Sequence, residues 1–198
     1  MKKGSKSHPR QKGQSTKGSI RIIAGKHRGR KLPVLSSEGL RPTTDRVKET
    51  LFNWLMPYIH GADCLDCFAG AGSLGFEAYS RGAASITMLE KDKAASQQLK
   101  ANATLLNSAS CAIHHTDTLT YLAAQPAKVQ DIVFVDPPFN LGFVEKLIPL
   151  LTKGWLAKDS LVYIETEQSF SASIIPTNWQ LLKEKSAGQV CYRLYQVG

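Results

Sequence analysis

Asp136-Pro137-Pro138-Phe139 combines residue types suited to gripping an amine. The tetrapeptide follows the apolar run Ile132-Val133-Phe134-Val135, which reads as a buried strand. It therefore falls at a strand's carboxyl end, where ligands bind in open α/β sheets. Two prolines remove two backbone donors and stiffen the turn, leaving the Pro137 carbonyl as a fixed acceptor beside the Asp136 carboxylate. An exocyclic amino group carries two N–H donors and a lone pair delocalised into its ring. Two acceptors that hold both N–H groups draw the nitrogen towards tetrahedral geometry and aim its lone pair at an incoming methyl carbon. Asp136 would also stabilise the positive charge developing on nitrogen, and the proton can leave afterwards, so no strong general base is needed. Phe139 offers a face on which an extracted base can stack. Alone, the same four residues read more simply as a strand-ending turn with an aspartate cap.

A second constellation lies upstream. Leu65-Asp66-Cys67-Phe68-Ala69-Gly70-Ala71-Gly72-Ser73-Leu74-Gly75 ends a strand, opens a helix and contains a literal G-x-G-x-x-G. Glycines there let the backbone turn tightly and let a ligand approach closely. Glu90 closes the next apolar run, Ile86-Thr87-Met88-Leu89, where a carboxylate can accept from ribose hydroxyls. The pair fits either a nicotinamide dinucleotide or S-adenosylmethionine. Asp66, ahead of the glycines, disfavours a pyrophosphate and suits the methyl donor's ammonium. Asp117, after the third strand, stands where it could meet an adenine amino group or simply cap a helix. The glycine loop, Glu90 and the Asp136 turn, on successive strand ends, together point to methyl transfer onto an amino group.

Positioning these residues requires a doubly wound sheet. Strand patterns are expected over Asp63–Phe68, Ser85–Glu90, Cys111–His115, Asp131–Asp136, Ser160–Glu165, Trp179–Lys185 and Val190–Gln196. Helical patterns over Ser73–Arg81, Lys93–Leu106, Thr118–Gln125 and Gly142–Leu151 separate the first five. The last two strands have only Ser186-Ala187-Gly188-Gln189 between them, which predicts an antiparallel hairpin closing a mostly parallel sheet. Ahead of the sheet, Ile20–Ile23 and Arg30–Val34 flank a glycine-punctuated turn as a basic hairpin. From Thr44 to Leu55, Val47, Leu51, Trp54 and Leu55 form an amphipathic helix with Arg46 and Lys48 off the apolar stripe.

The divided charge says what such a device would meet. Residues 1–48 carry 14 Lys/Arg against 2 Asp/Glu, net +12, whereas residues 49–198 carry 11 against 14, net −3. A basic arm beside a mildly acidic catalytic domain implies a polyanionic substrate. Residues 1–18, rich in Lys, Ser, Gly and Gln, have no apolar periodicity and are expected to be a disordered basic tail. Residues 19–56 make the hairpin-and-helix extension and residues 57–198 the catalytic domain. Cys64, Cys67, Cys111 and Cys191 sit in or beside apolar runs and suit reduced core thiols. Cys64-Leu65-Asp66-Cys67 has CxxC spacing, but strand positions i and i+3 face opposite ways and no second pair accompanies it, so no metal is expected. The absence of a long apolar run or a signal sequence implies a cytoplasmic protein, and no unmatched apolar segment calls for a second chain, so a monomer is expected.

Arg21-Ile22-Ile23-Ala24-Gly25, Arg28-Gly29-Arg30-Lys31-Leu32 and the run from Arg41-Pro42-Thr43-Thr44-Asp45-Arg46 to Asn53 resemble the bacterial RsmD family. The Asp66–Gly75 loop, Asp136–Phe139 and Gly188-Gln189-Val190-Cys191-Tyr192-Arg193-Leu194-Tyr195 extend the likeness over nearly everything after Ser19. The resemblance implies a class I (Rossmann-like) methyltransferase fold with a small amino-terminal extension, using S-adenosylmethionine to methylate the N2 amino group of one guanine in 16S ribosomal RNA of the 30S subunit or its assembly intermediate. It implies Asp136, Pro137 and Phe139 for the target pocket, with Asp66, Phe68, Gly70, Gly72 and Glu90 for the donor. Arg21, Arg28, Arg30, Arg41 and Arg46 become RNA contacts. From the residues themselves, amino methylation of DNA adenine or cytosine, of a protein glutamine, a nicotinamide-dependent oxidoreductase and a non-catalytic RNA-binding assembly factor stay open.

Overall fold

A computed structural model describes residues 18–35 and 45–198. The expected tail therefore lies outside the described residues, except that Gly18 already belongs to the first strand, opposite Val34. Strands β1 (Gly18–Arg21) and β2 (Lys31–Val34) form the antiparallel hairpin, and α1 (Asp45–Leu55) follows. Next come β3 (Asp63–Asp66), α2 (Ser73–Ser80), β4 (Ser85–Glu90), α3 (Lys93–Leu105), β5 (Cys111–His115), α4 (Thr118–Leu122) and β6 (Gln130–Val135). The chain continues with α5 (Phe143–Leu151), β7 (Leu156–Glu167), β8 (Trp179–Ala187) and β9 (Val190–Val197).

The seven-stranded sheet has the order β5-β4-β3-β6-β7-β9-β8. Its first five strands are parallel; β9 enters antiparallel between β7 and β8. The order reverses between β3 and β6, so the loops after β3, β4 and β6 open onto one crevice, the switch point where ligands bind. The expected strand over Ser160–Glu165 is longer, because Leu156 pairs with Gln130 before a register shift, and α4 stops short of the expected Gln125.

Strand alternation divides the core into two layers. Cys64, Ile132, Phe134, Leu161 and Tyr163 face α1, α2 and the hairpin. Leu65, Cys67, Val133, Val135, Val162 and Ile164 face α4 and α5. Cys64 and Cys67 thus lie in opposite layers, and burial pushes both thiol pKa values up, so neither is a thiolate at neutral pH. Among the described residues, no cluster of three His, Cys, Asp or Glu side chains is placed to hold a metal, and no helix is long and apolar enough to cross a membrane.

The hairpin is packed into the first layer: Ile20, Ile22 and Leu32 are buried together with Val47, Leu51, Phe52 and Leu55 of α1. Lys48 departs from the expected solvent-facing position. It is 1% exposed, donates to the Arg21 carbonyl at 2.6 Å and stands 3.9 Å from Glu77, which is itself fully buried. Glu77 accepts from the Ile23 and Ala24 amides at 2.8 and 3.0 Å and from Arg81 Nε at 2.7 Å. A helical wheel puts Lys48 off the apolar stripe, but the hairpin covers that side of α1 and supplies polar partners. At the hairpin turn, Gly25 has φ +80° and any Cβ would overlap the Ser80 carbonyl, which accepts from the Lys26 amide at 2.7 Å. Glycine there is required both by conformation and by close approach.

Candidate active site

One cavity of about 780 Å³ opens over the carboxyl ends of β3, β4 and β6. That volume holds a nucleoside-sized ligand with room for a second planar group. Asp66, Phe68 and Gly70 line it from the β3 loop, Glu90 from the end of β4, and Asp117 from the start of α4. Asp136, Pro137 and Phe139 line it after β6. The residues expected from two separate motifs thus meet in one space because their strands are neighbours in the sheet.

Glu90 clasps the glycine loop. Its Oε2 accepts from the Gly70 amide at 2.8 Å and its Oε1 from the Asp92 amide at 2.7 Å, fixing the carboxylate while leaving lone pairs for a ligand's hydroxyls. Asp66 is 2% exposed and accepts from the Gly75 amide at 3.2 Å and from the Phe68 amide. Burial raises its pKa to about 7, opposed by those two amide hydrogen bonds. A buried acid in that state gains from a cationic neighbour, so the site fits the ammonium of S-adenosylmethionine and would resist a pyrophosphate. Asp117 caps α4, accepting from the Thr120 amide at 3.1 Å, and lies 3.4 Å from Lys91. Asp117 thus meets the capping expectation and also lines the cavity. Its pKa is lowered, chiefly by the Thr120 amide.

Gly72 does not line the cavity with its neighbours. It is the left-handed residue that starts α2, and a Cβ would lie 2.5 Å from the Phe76 ring and 2.6 Å from Leu99. Its glycine serves helix packing, which spacing alone could not separate from ligand contact. Phe139 and Phe68 are half-buried, and Phe143 meets Phe68 edge-on with ring centroids 5.3 Å apart, so aromatic faces border the cavity on two sides.

The rim is built by the extension and by the last hairpin. Ser19, Ile20, Val34 and Val47 line one side, and Ala187, Gly188 and Val190 another. Arg21, Arg28 and Arg30 are exposed on the extension, and Arg46 is exposed on α1. Arg30 also donates to the Leu105 carbonyl at 2.8 Å, at the end of α3, where a cation meets the helix's unpaired carbonyls. Arg41 lies outside the described residues.

Residues 20–196 match the family described as "Conserved hypothetical protein 95". The chain belongs to this family. Among its relatives, Ribosomal RNA small subunit methyltransferase D of Escherichia coli (strain K12) is 54% identical over 183 residues, covering 92% of both chains. The protein of that name from Haemophilus influenzae is 55% identical over 187 residues, covering 92% of this chain and 96% of the relative. The solved structure of the Escherichia coli protein yhhF, at 54% identity, superposes with a TM-score of 0.83 over 91% of this chain and 98% of that one. The Thermus thermophilus 16S rRNA N2 G1207 methyltransferase, solved with AdoMet and guanosine, shares the fold at 19% identity, with a TM-score of 0.68 over 92% of this chain and half of that one. The family's fold is thus the class I methyltransferase fold.

Two buried acids, one under the hairpin and one in the cavity wall, escaped the motif reading. Glu77 lies inside a helical pattern with no local sign that the hairpin would cover it. Glu165 lines the cavity and ends an apolar run as Glu90 does, so the strand-end rule that marks Glu90 applies to it equally.

Proposed function

We propose that this chain transfers a methyl group from S-adenosylmethionine to the N2 amino group of a guanine in 16S ribosomal RNA of the small subunit. One observation carries the reading: the Glu90-clasped glycine loop and the Asp136–Phe139 turn line the same cavity, at adjacent strand ends. The names of the relatives support the ribosomal RNA substrate, and the shared fold with a guanosine-bound enzyme supports guanine.

Asp66, Phe68, Gly70, Glu90 and Asp117 would hold the donor. When bound, it supplies a methyl carbon on a sulfonium, and the C–S bonding pair departs with sulfur as the N–C bond forms. Asp136 and the Pro137 carbonyl accept the two N–H bonds of the target amine, so the nitrogen lone pair is freed from the ring and aimed in line. The Asp136 carboxylate stabilises the charge that builds on nitrogen, and one N–H proton is then lost to it or to water. Phe139 stacks on the extracted base.

Residues 19–56 act as the RNA-binding extension and residues 57–198 as the catalytic domain. Arg21, Arg28, Arg30, Arg41 and Arg46 neutralise phosphates around the cavity mouth. The substrate is the small subunit or its assembly intermediate, met in the cytoplasm by a monomer. Labelled donor with unmodified small subunits, naked 16S RNA or duplex DNA tests this, with the product read by mass spectrometry after nuclease digestion. N2-methylguanosine in the RNA is expected, with Asp136→Ala lowering kcat by about 10²–10³. Label confined to DNA, or carried on adenine, refutes it.

A further inference from the structure

We infer that Glu165 selects guanine, its carboxylate accepting the N1–H of the target base beside the N2 amino group held by Asp136 and Pro137. The inference rests on the guanine-N2 reading above.

The sheet places the two acids side by side. In the parallel β6–β7 ladder Phe134 pairs with Tyr163 and the last pair is Val135 with Ile164; Asp136 and Glu165 are the residues that follow that pair on each chain segment. Alternation then puts Asp136 on the face of Phe134 and Glu165 on the face of Tyr163, and both aromatic residues belong to the layer beneath the hairpin. Adjacent strands run about 4.8 Å apart, close enough for the two side chains to converge on one base edge. Asp136 and Glu165 both line the cavity.

Glu165 is built in rather than left at a surface. It is 8% exposed, and the hydroxyl of the fully buried Tyr163 donates to its Oε2 at 2.8 Å. Burial, with the charges of Glu165 and Asp136, raises the Tyr163 pKa, so that hydroxyl keeps its proton and remains a donor. It orients the carboxylate, which can accept further hydrogen bonds at its other lone-pair positions.

The base edges then differ in sign. Guanine presents N1–H beside its N2 amino group, two adjacent donors facing two acceptors. Adenine and cytosine present an amino group beside a ring nitrogen with a lone pair, which a carboxylate repels. Asp136 and Pro137 can hold any exocyclic amine; Glu165 reads what lies next to it. A site that hydrogen-bonds a substrate N–H rejects an analogue lacking it by up to about 10⁴.

Small subunits reconstituted with guanine or 2-aminopurine at the target position test this with the full-length protein. 2-Aminopurine keeps the N2 amino group but carries a lone pair at N1. Wild type should prefer guanine at least about 100-fold in kcat/KM. Glu165→Gln, whose amide can donate to that lone pair, should lower kcat/KM on guanine while holding or raising it on 2-aminopurine, so the preference falls at least about 100-fold. A purely structural Glu165 would depress both substrates equally; an unchanged preference ratio in a folded variant overturns the inference alone. If wild type methylates no guanine N2, the guanine reading fails and this falls with it. Should Glu165→Gln not fold, Tyr163→Phe, which frees the carboxylate from its orienting donor, is expected to narrow the guanine preference about tenfold, and an unchanged ratio there counts against the proposal equally.

Discussion

Glu77→Gln should loosen the amino-terminal hairpin from the sheet while leaving the strand-end residues Asp66, Glu90 and Asp136 in place. In the native protein the carboxylate receives two hairpin amides and Arg81 Nε, each within 3.0 Å, with the Lys48 ammonium at 3.9 Å. Glutamine keeps nearly the same volume but has one acceptor oxygen, and its NH₂ would point a donor at one of those donors. Lys48, 2% exposed at the side chain, would lose its buried counter-charge. Removing one partner of a buried pair costs about 3–5 kcal/mol, against a total stability of about 5–15. For a chain of this size each kcal/mol moves Tm by about 2–4 °C, so a fall of roughly 6–20 °C is expected in thermal unfolding by circular dichroism. Hydrogen exchange should quicken at the Ile23 and Ala24 amides more than at β4 amides such as Met88. A Tm within about 2 °C of wild type, with unchanged exchange at Ile23, would refute the claim that this carboxylate anchors the hairpin.

The acid at Asp66 carries a pH dependence. Its folded pKa, about 7, lies above the unfolded carboxylate value, so the folded state disfavours the ionised form. Wild type should therefore lose stability relative to Asp66→Asn as pH rises from about 4 to 7, by about 4 kcal/mol when fully ionised, measured by urea unfolding at several pH values. Donor affinity, which gains from the ionised acid, should rise with pH through about 7 in wild type and stay flat in Asp66→Asn; parallel curves by calorimetry would exclude an ammonium contact at Asp66. For the exposed arginines, Arg28→Ala should weaken binding to small subunits and lower the slope of log K against log salt by about one. An unchanged slope would remove Arg28 from the RNA surface.

Much of the site was legible because its signals are local. Asp136 follows an apolar run and Glu90 follows another, and each strand end is marked by where hydrophobicity stops. Asp117 was readable as a helix cap, and it caps α4 while also lining the cavity. The hairpin was legible from its glycine-punctuated turn, although its first strand begins at Gly18 inside the expected tail. Lys48 was misplaced because the helical period describes one helix in water, whereas its burial depends on what packs against the other side. Gly72 shows the same limit: the motif counts glycines, and only the position of Phe76 and Leu99 shows which of them a ligand could approach.

By itself, the chain's order of apolar runs and helical periods determined a mostly parallel sheet and the two motifs at its strand ends, since these depend on local patterning and on the handed winding of β-α-β units. Tertiary structure alone decided that Glu165 stands beside Asp136, because strand pairing sets that neighbour and β7 pairs with β6 on one side and β9 on the other. It also decided that Glu77 would be buried under the hairpin. Charge burial is a property of the surface that covers a residue, and that surface comes from distant parts of the chain.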